Sequence, residues 1–228
     1  MLIFLDFDGV IVDSIEECYV VSCETYYGYS ASNVVNNSCY KDIFYKFRGL
    51  VRPAREYMNL HRAIEYSFSN TECKDDIESL FYQSIKATTI TEGESFEEKF
   101  FFTRLLCQKK NFPLWIKMNP LTDFGKTLVG YENSDIIIIT TKNLQSVSKI
   151  LEFYKINVEG IYANDDVRKA GSKGEIIKSI MDAKNELKAV FVDDSVEHLN
   201  TVRDCRVVCY FANWGYGHDD GNYPIYEY

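Results

Sequence analysis

Hydrophobic residues along this chain gather in short runs separated by longer segments with helical spacing. Three runs, LIFLDF at 2–7, DIIIIT at 135–140 and AVFVDD at 189–194, are rich in β-branched and aromatic side chains and close on polar residues. Continuous apolar runs of that length fit strands covered on both faces, as parallel strands are. A fourth run, RVVCYFA at 206–212, follows closely. Between the runs lie helical patterns: LQSVSKILEFYKI at 144–156, KGEIIKSIMDAKNEL at 173–187 and SVEHLNTVRDC at 195–205. Strands alternating with helices predict an α/β fold with a doubly wound parallel sheet.

The stretch 15–115 has a different texture. It is charged and rich in Tyr and Phe, with helical segments at 54–68, 75–87 and 96–110 and only a weak strand signal. An insertion of this size after the first strand predicts a separate all-α subdomain. The expected division is a core of 1–14 and 116–228 and a helical unit of 15–115. Joints are expected near Ser14 and across 113–120, where Pro113 and Pro120 oppose helix continuation.

Composition narrows the function classes. The chain has 228 residues, 46% of them hydrophobic and 26% charged, with a net charge of -9. That length supports a sizeable core, and that charge argues against nonspecific binding to nucleic acid or an anionic membrane. The N-terminal apolar run is shorter than a signal peptide's and lacks a basic flank, and no stretch approaches the ~20 apolar residues of a membrane span. A soluble, cytoplasmic chain is expected. Seven cysteines without a CxxC pair fit buried, reduced thiols in that compartment.

The candidate chemistry lies where the apolar runs end. In open α/β sheets ligands bind beyond the carboxyl ends of the strands. That rule brings Asp6 and Asp8, Thr140 and Thr141, and Asp193 and Asp194 to one edge. Carboxylates gathered without cationic relief repel one another and are driven towards protonation. A hard divalent cation such as Mg2+ relieves that repulsion and retains waters and sites for a phosphate. Lys173 falls where a helix should begin. A lysine there opposes the helix dipole, so an anion nearby is expected, with Lys169 a weaker competitor.

This set resembles the haloacid dehalogenase superfamily of phosphohydrolases. DFDGVIVDS matches its first motif, DxDGxxxDS, and IIIITTKN matches the second, an apolar strand ending in Ser or Thr. Lys173 fits the third motif and VFVDDSVEH the fourth, and the helical insertion lies where the family's C1-type cap occurs. ANWGYG at 212–217 is similar to the segment after the fourth motif in phosphoglycolate-phosphatase-like members.

The resemblance implies roles residue by residue. Asp6 would be the nucleophile that forms an aspartyl-phosphate, and Asp8 the general acid and base. Asp6, Asp194 and the backbone carbonyl of Asp8 would hold Mg2+, with Asp193 or Glu197 completing the outer shell. Thr140, Thr141, Lys173 and the backbone around Gly9 would bind the phosphoryl oxygens. The second aspartate, Asp8, is absent from halide-displacing members, which favours phosphate esters. The fourth motif departs from the usual GDxxxD, with Asp193 in the glycine's place and His198 at the later acid position. In the insertion, Arg48 and Arg52, with Arg55, are the candidates for gripping a second anionic group of the substrate. The insertion's aromatic residues fit packing, and His61, His198 and His218 show no metal-ligand spacing. The expected function is a Mg2+-dependent phosphatase of a small phosphorylated metabolite, in a monomer or homodimer. A sugar phosphomutase, a nucleotide 5′-phosphatase or a noncatalytic binding protein are the alternatives.

Overall fold

The computed structural model describes residues 1–69, 76–130 and 132–228, and the side chains of all of these but 132–134. The chain divides into two compact units, Met1–Ser14 with Asn119–Tyr228, and Ile15–Met118.

The first unit is built on five parallel strands: β1 (Leu2–Leu5), β2 (Glu132–Ile139), β3 (Asn157–Tyr162), β4 (Ala189–Asp193) and β5 (Val207–Phe211), in the order β3-β2-β1-β4-β5. All four pairings are parallel. The order reverses at β1, which has β2 on one side and β4 on the other. β3 was not among the expected strands, because NVEGIY alternates weakly and carries a glycine at its centre. Alternate residues of the strands share one face, where Leu2, Phe4, Ile137, Ile139, Phe191 and Phe211 pack with Ile176, Ile177, Ile180 and Met181. Those last four lie along the helix Lys173–Lys184.

The helix expected over 195–205 is a single turn, Val196–Leu199. Beyond it, Asp204 accepts a hydrogen bond from the Arg206 amide at 3.0 Å. This side-chain turn competes with helix and aims the chain into β5.

The second unit is helical in every element assigned among its described residues. It comprises α1 (Ile15–Tyr27), α2 (Ala31–Val35), α3 (Ser38–Phe47), α4 (Tyr57–Ser69), α5 (Ile77–Ala87), α6 (Ile90–Lys110) and α7 (Phe112–Lys117). Asp75, which opened the expected 75–87 segment, lies outside the described residues; Asp76 caps α5 by accepting from the Ser79 amide. Pro113 does not end a helix as expected. It sits in the first turn of α7, where its missing N–H costs nothing. The unit therefore runs past residue 115 to the end of that helix.

Its core is aromatic: Tyr19, Phe44, Tyr57, Phe81 and Phe100 are buried, and Phe44 and Phe100 each stack on Tyr57. Within it lies a buried ion pair. Arg104 Nε and Nη2 donate to the two oxygens of Glu17 at 2.7 and 2.8 Å, and Trp115 Nε1 donates to Glu17 at 3.1 Å.

The cysteine expectation holds only in part. The six described cysteines are free, but Cys39 and Cys205 are exposed while Cys18 and Cys23 are buried; Cys73 lies outside the described residues. No helix among the described residues is long and apolar enough to cross a membrane.

Removing one member of the buried pair should be costly. Glu17→Ala strands the Arg104 guanidinium and should destabilise the protein by about 3–5 kcal/mol. Glu17→Leu combined with Arg104→Met removes both charges and should cost far less than either single change. Denaturant unfolding of the three variants checks this; an additive double variant would contradict it.

Candidate active site

Parallel register sets the site. Leu5 lies beside Ile138 on β2 and Val192 on β4, so the next residues along each strand, Asp6, Ile139 and Asp193, come level. Thr140 continues β2 by donating its amide to the Tyr162 carbonyl at 2.9 Å. Asp6, Thr140, Asp193 and Asp194 are all buried, and Asp8 is half-buried.

The helix Lys173–Lys184, α11, delivers a cation to this edge, its predecessors in the same unit being α8 (Asp123–Thr127), α9 (Leu144–Tyr154) and α10 (Asn164–Ala170). Ser172 caps α11 by accepting from the Glu175 amide, and Lys173 is its first residue. The lysine side chain is 1% exposed, with its Nζ 2.8 Å from Asp6 Oδ1 and 2.7 Å from Asp193 Oδ2. The anions that the dipole argument called for are thus these two carboxylates, while Lys169 is exposed. Gly174 makes the approach possible. A Cβ there would stand 2.1 Å from the Thr201 carbonyl oxygen, while the Gly174 amide donates to Thr201 Oγ1 at 3.0 Å.

The electrostatics follow from burial. Desolvation drives the Asp6 carboxyl up from 3.8 to about 6, against the attraction of Lys173, and Asp193 adds to the rise. Burial would raise Asp193 too, but Lys173 and His198 together hold it below the usual carboxylate range. Burial alone would lower the Lys173 ammonium; Asp193 and Asp6 keep it above its ordinary value.

Asp6, Asp193 and His198 offer ligand atoms within 4.8 Å of one another. The Lys173 ammonium already bridges two of the three. Asp193 also accepts from the Ser195 amide at 2.8 Å and faces His198 Nδ1 at 3.2 Å. Its contacts are those of a lysine counter-ion.

Asp194 is held differently. Its Oδ2 accepts from the Tyr216 amide at 2.5 Å. A Cβ on Gly9 would lie 2.4 Å from that same oxygen, and one on Gly215 would lie 2.3 Å from the Asp194 Cβ. Gly9 has φ +87°, so its place needs glycine twice over, for backbone conformation and for space. The Tyr216 hydroxyl accepts from the Ser14 amide at 2.6 Å and donates to Asp13 at 3.0 Å. Asp13 is thereby a strut under the same loop.

Asp8 has partners that sequence reasoning missed. Lys142 Nζ donates to Asp8 Oδ1 at 2.9 Å, and Ser14 Oγ donates to the same oxygen at 2.5 Å. Lys142 stands two residues after Thr140 in TTKN, and a basic residue that close to a strand end was the available signal. Thr140 Oγ1 accepts from the Lys142 amide at 3.1 Å, and Thr141 is half-buried beside it. Tyr216, Gly215 and Gly217 were legible only as part of ANWGYG.

The insertion's arginines are described with their own unit. Arg48 is buried, donates Nη1 to the Val51 carbonyl at 3.0 Å and lies 5.2 Å from the Tyr57 ring centre. Arg52 donates to the Gly49 carbonyl, and its amide donates to Glu56. Both guanidiniums brace the 48–56 turn, and the side chain of Arg55 packs against Gly93.

Comparison with known proteins agrees with this architecture. No protein-family model and no curated protein sequence matches the chain. Solved structures do. A haloacid dehalogenase-like family hydrolase from Streptococcus pneumoniae is 16% identical with a TM-score of 0.55, covering 99% of this chain and 93% of its own. A protein from Haemophilus somnus 129pt, described as a predicted phosphoglycolate phosphatase, is 19% identical with a TM-score of 0.59, covering 98% and 88%. One from Clostridium acetobutylicum, described as a predicted phosphatase, is 17% identical with a TM-score of 0.56, covering 99% and 93%. The chain has the fold of these hydrolases.

The raised Asp6 pKa has a stability consequence in protein stripped of metal. A folded-state value above the unfolded one means that ionising Asp6 costs stability, and the loss accrues as pH rises from 3.8 through about 6. The full loss is on the order of 3 kcal/mol. In EDTA, Asp6→Asn should melt higher than the wild type at pH 8, with the difference gone near pH 4. A variant that melts lower at pH 8 would show that attraction to Lys173 outweighs burial.

Proposed function

We propose that this chain, which has the haloacid dehalogenase-like fold, is a Mg2+-dependent phosphatase acting on a small phosphorylated metabolite. One observation carries the reading. At the carboxyl ends of β1 and β4, four carboxylates, Asp6, Asp8, Asp193 and Asp194, meet two buried ammoniums, Lys142 and Lys173. The remaining double negative charge suits a divalent cation bound with oxygen ligands.

The donor set fits that ion. Asp194 is oriented by the Tyr216 amide and confined by glycines, and burial makes Asp6 a carboxylate in want of a further cation. Asp6, Asp194 and the Asp8 backbone carbonyl would hold Mg2+, which when bound supplies charge neutralisation for the phosphoryl oxygens. Asp193 is assigned to Lys173 as its counter-ion.

In the proposed reaction an Asp6 carboxylate oxygen attacks phosphorus and the ester P–O bond breaks. Asp8, having taken up a proton from solvent on entering this step, gives it to the departing oxygen. Water then attacks the aspartyl-phosphate, Asp8 takes its proton, and inorganic phosphate leaves. Thr140 and Lys173 steady the phosphoryl oxygens. The fold neighbour described as a predicted phosphoglycolate phosphatase makes 2-phosphoglycolate a first compound to try in a wider metabolite screen.

Purified protein should hydrolyse p-nitrophenyl phosphate with Mg2+ and stop in EDTA. Asp6→Asn should reduce turnover by about a thousandfold or more. Turnover indifferent to Mg2+, or undiminished in Asp6→Asn, would defeat the mechanism. Interconversion of hexose 1- and 6-phosphates with little phosphate release would point to a mutase. Asp194→Asn should raise the Mg2+ concentration for half-maximal rate by about tenfold or more; an unchanged requirement would remove Asp194 from the metal's ligands.

A further inference from the structure

We propose that Lys142 is a positioning residue that sets the Asp8 carboxylate for proton transfer to the leaving oxygen; the inference rests on the phosphatase reading. Asp8 lies in the turn after β1, just before Gly9, where a short side chain has no strand to restrain it. Two donors restrain it instead. The Lys142 ammonium at 2.9 Å and the Ser14 hydroxyl at 2.5 Å converge on one oxygen, Oδ1. A pair of donors on a single carboxylate oxygen fixes the group's rotation as well as its place.

Lys142 is built to hold still. Its side chain has no exposed surface, although burying an ammonium is costly wherever an apolar residue would serve. Its amide donates to Thr140 Oγ1 at 3.1 Å and its carbonyl accepts from the Asn164 amide at 3.1 Å. The lysine's backbone is therefore pinned on both sides, and its ammonium reaches across the sheet edge to a residue 134 positions earlier. A side chain anchored in this way, on the residue proposed to exchange protons, supplies orientation in advance of the reaction.

Leaving-group dependence separates this role from simpler ones. An alkoxide leaves poorly without a proton, whereas 2,4-dinitrophenolate leaves readily with none, so a misplaced acid harms only the first. Lys142→Met keeps an unbranched side chain of nearly the same length and removes the charge. Its kcat/KM should fall by about 100-fold for an alkyl phosphate such as glycerol phosphate and stay within about threefold of wild type for 2,4-dinitrophenyl phosphate. Ser14→Ala, which removes the other donor to Oδ1, should show the same selectivity at about tenfold.

Equal losses on both esters in the two variants would overturn the proposal, as they would mean a structural role or direct contact with the phosphoryl group. Unchanged rates on both would overturn it too. Activity on the dinitrophenyl ester reports that a variant is folded; if Lys142→Met is inactive on both esters and also melts early, Ser14→Ala decides the question by the same criterion. Wild-type protein that hydrolyses neither ester with Mg2+ would defeat the phosphatase reading itself, and the positioning role with it.

Discussion

Three carboxylates cannot be buried side by side at the ends of two neighbouring strands unless a cation is buried with them. In this chain that cation is Lys173, shared between Asp6 and Asp193. The bridge makes demands on the rest of the fold. It requires β1 and β4 to run parallel in a register that levels residue 6 with residue 193. It also requires α11 to begin close against the chain at Thr201, which only a glycine at 174 allows. The helix start is electrostatically the wrong place for a lysine, and two carboxylates are what make it tolerable there.

Space around Asp194 is governed by the absence of side chains. Gly9 and Gly215 close in on it from separate loops, and Gly217 meets its carbonyl oxygen. The amide of Tyr216 then takes one carboxylate oxygen while the tyrosine's hydroxyl reaches Asp13 and the Ser14 amide. One residue thus ties the loop after β5 to the turn after β1. Trp214 adds to the same seam by donating to the Val10 carbonyl at 3.1 Å, and its ring packs with Phe124 and Tyr228. The aromatic segment near the carboxyl end is a brace for the acidic edge.

What sequence reasoning could reach follows from the range of the interactions involved. Four of the five strands were legible because an unbroken apolar run is a local signal, and β3 was not because its glycine and weak alternation hide it. Asp6, Asp8, Thr140, Lys173, Asp193 and Asp194 could be named from strand ends and a helix start, all local features. Their pairing could not: which carboxylate takes Lys173 depends on register between strands almost two hundred residues apart. Asp193 read as a metal neighbour because it adjoins Asp194; its contacts with Lys173, Ser195 and His198 could not be read from that adjacency. Arg48 and Arg52 read as candidates for gripping an anion, and charge alone could not reveal that their guanidiniums also donate to nearby backbone carbonyls. Lys142 was missed for the opposite reason, since a lysine after a strand is ordinarily a solvated one.

The two buried lysines divide the edge between them. Lys173 stands against Asp6 and Asp193, and Lys142 against Asp8. A single lysine placed centrally would have to serve Asp6 and Asp8 together, and any movement toward one would weaken its hold on the other. With separate anchors, one on α11 and one on the turn after β2, each carboxylate is oriented independently. The pairing also fixes how much charge is left over. Two ammoniums against four carboxylates leave the edge with a net negative charge. A third buried lysine would neutralise the edge further, whereas losing one would leave a carboxylate in apolar surroundings. The count of buried lysines is therefore as much a constraint on the site as the identity of its aspartates.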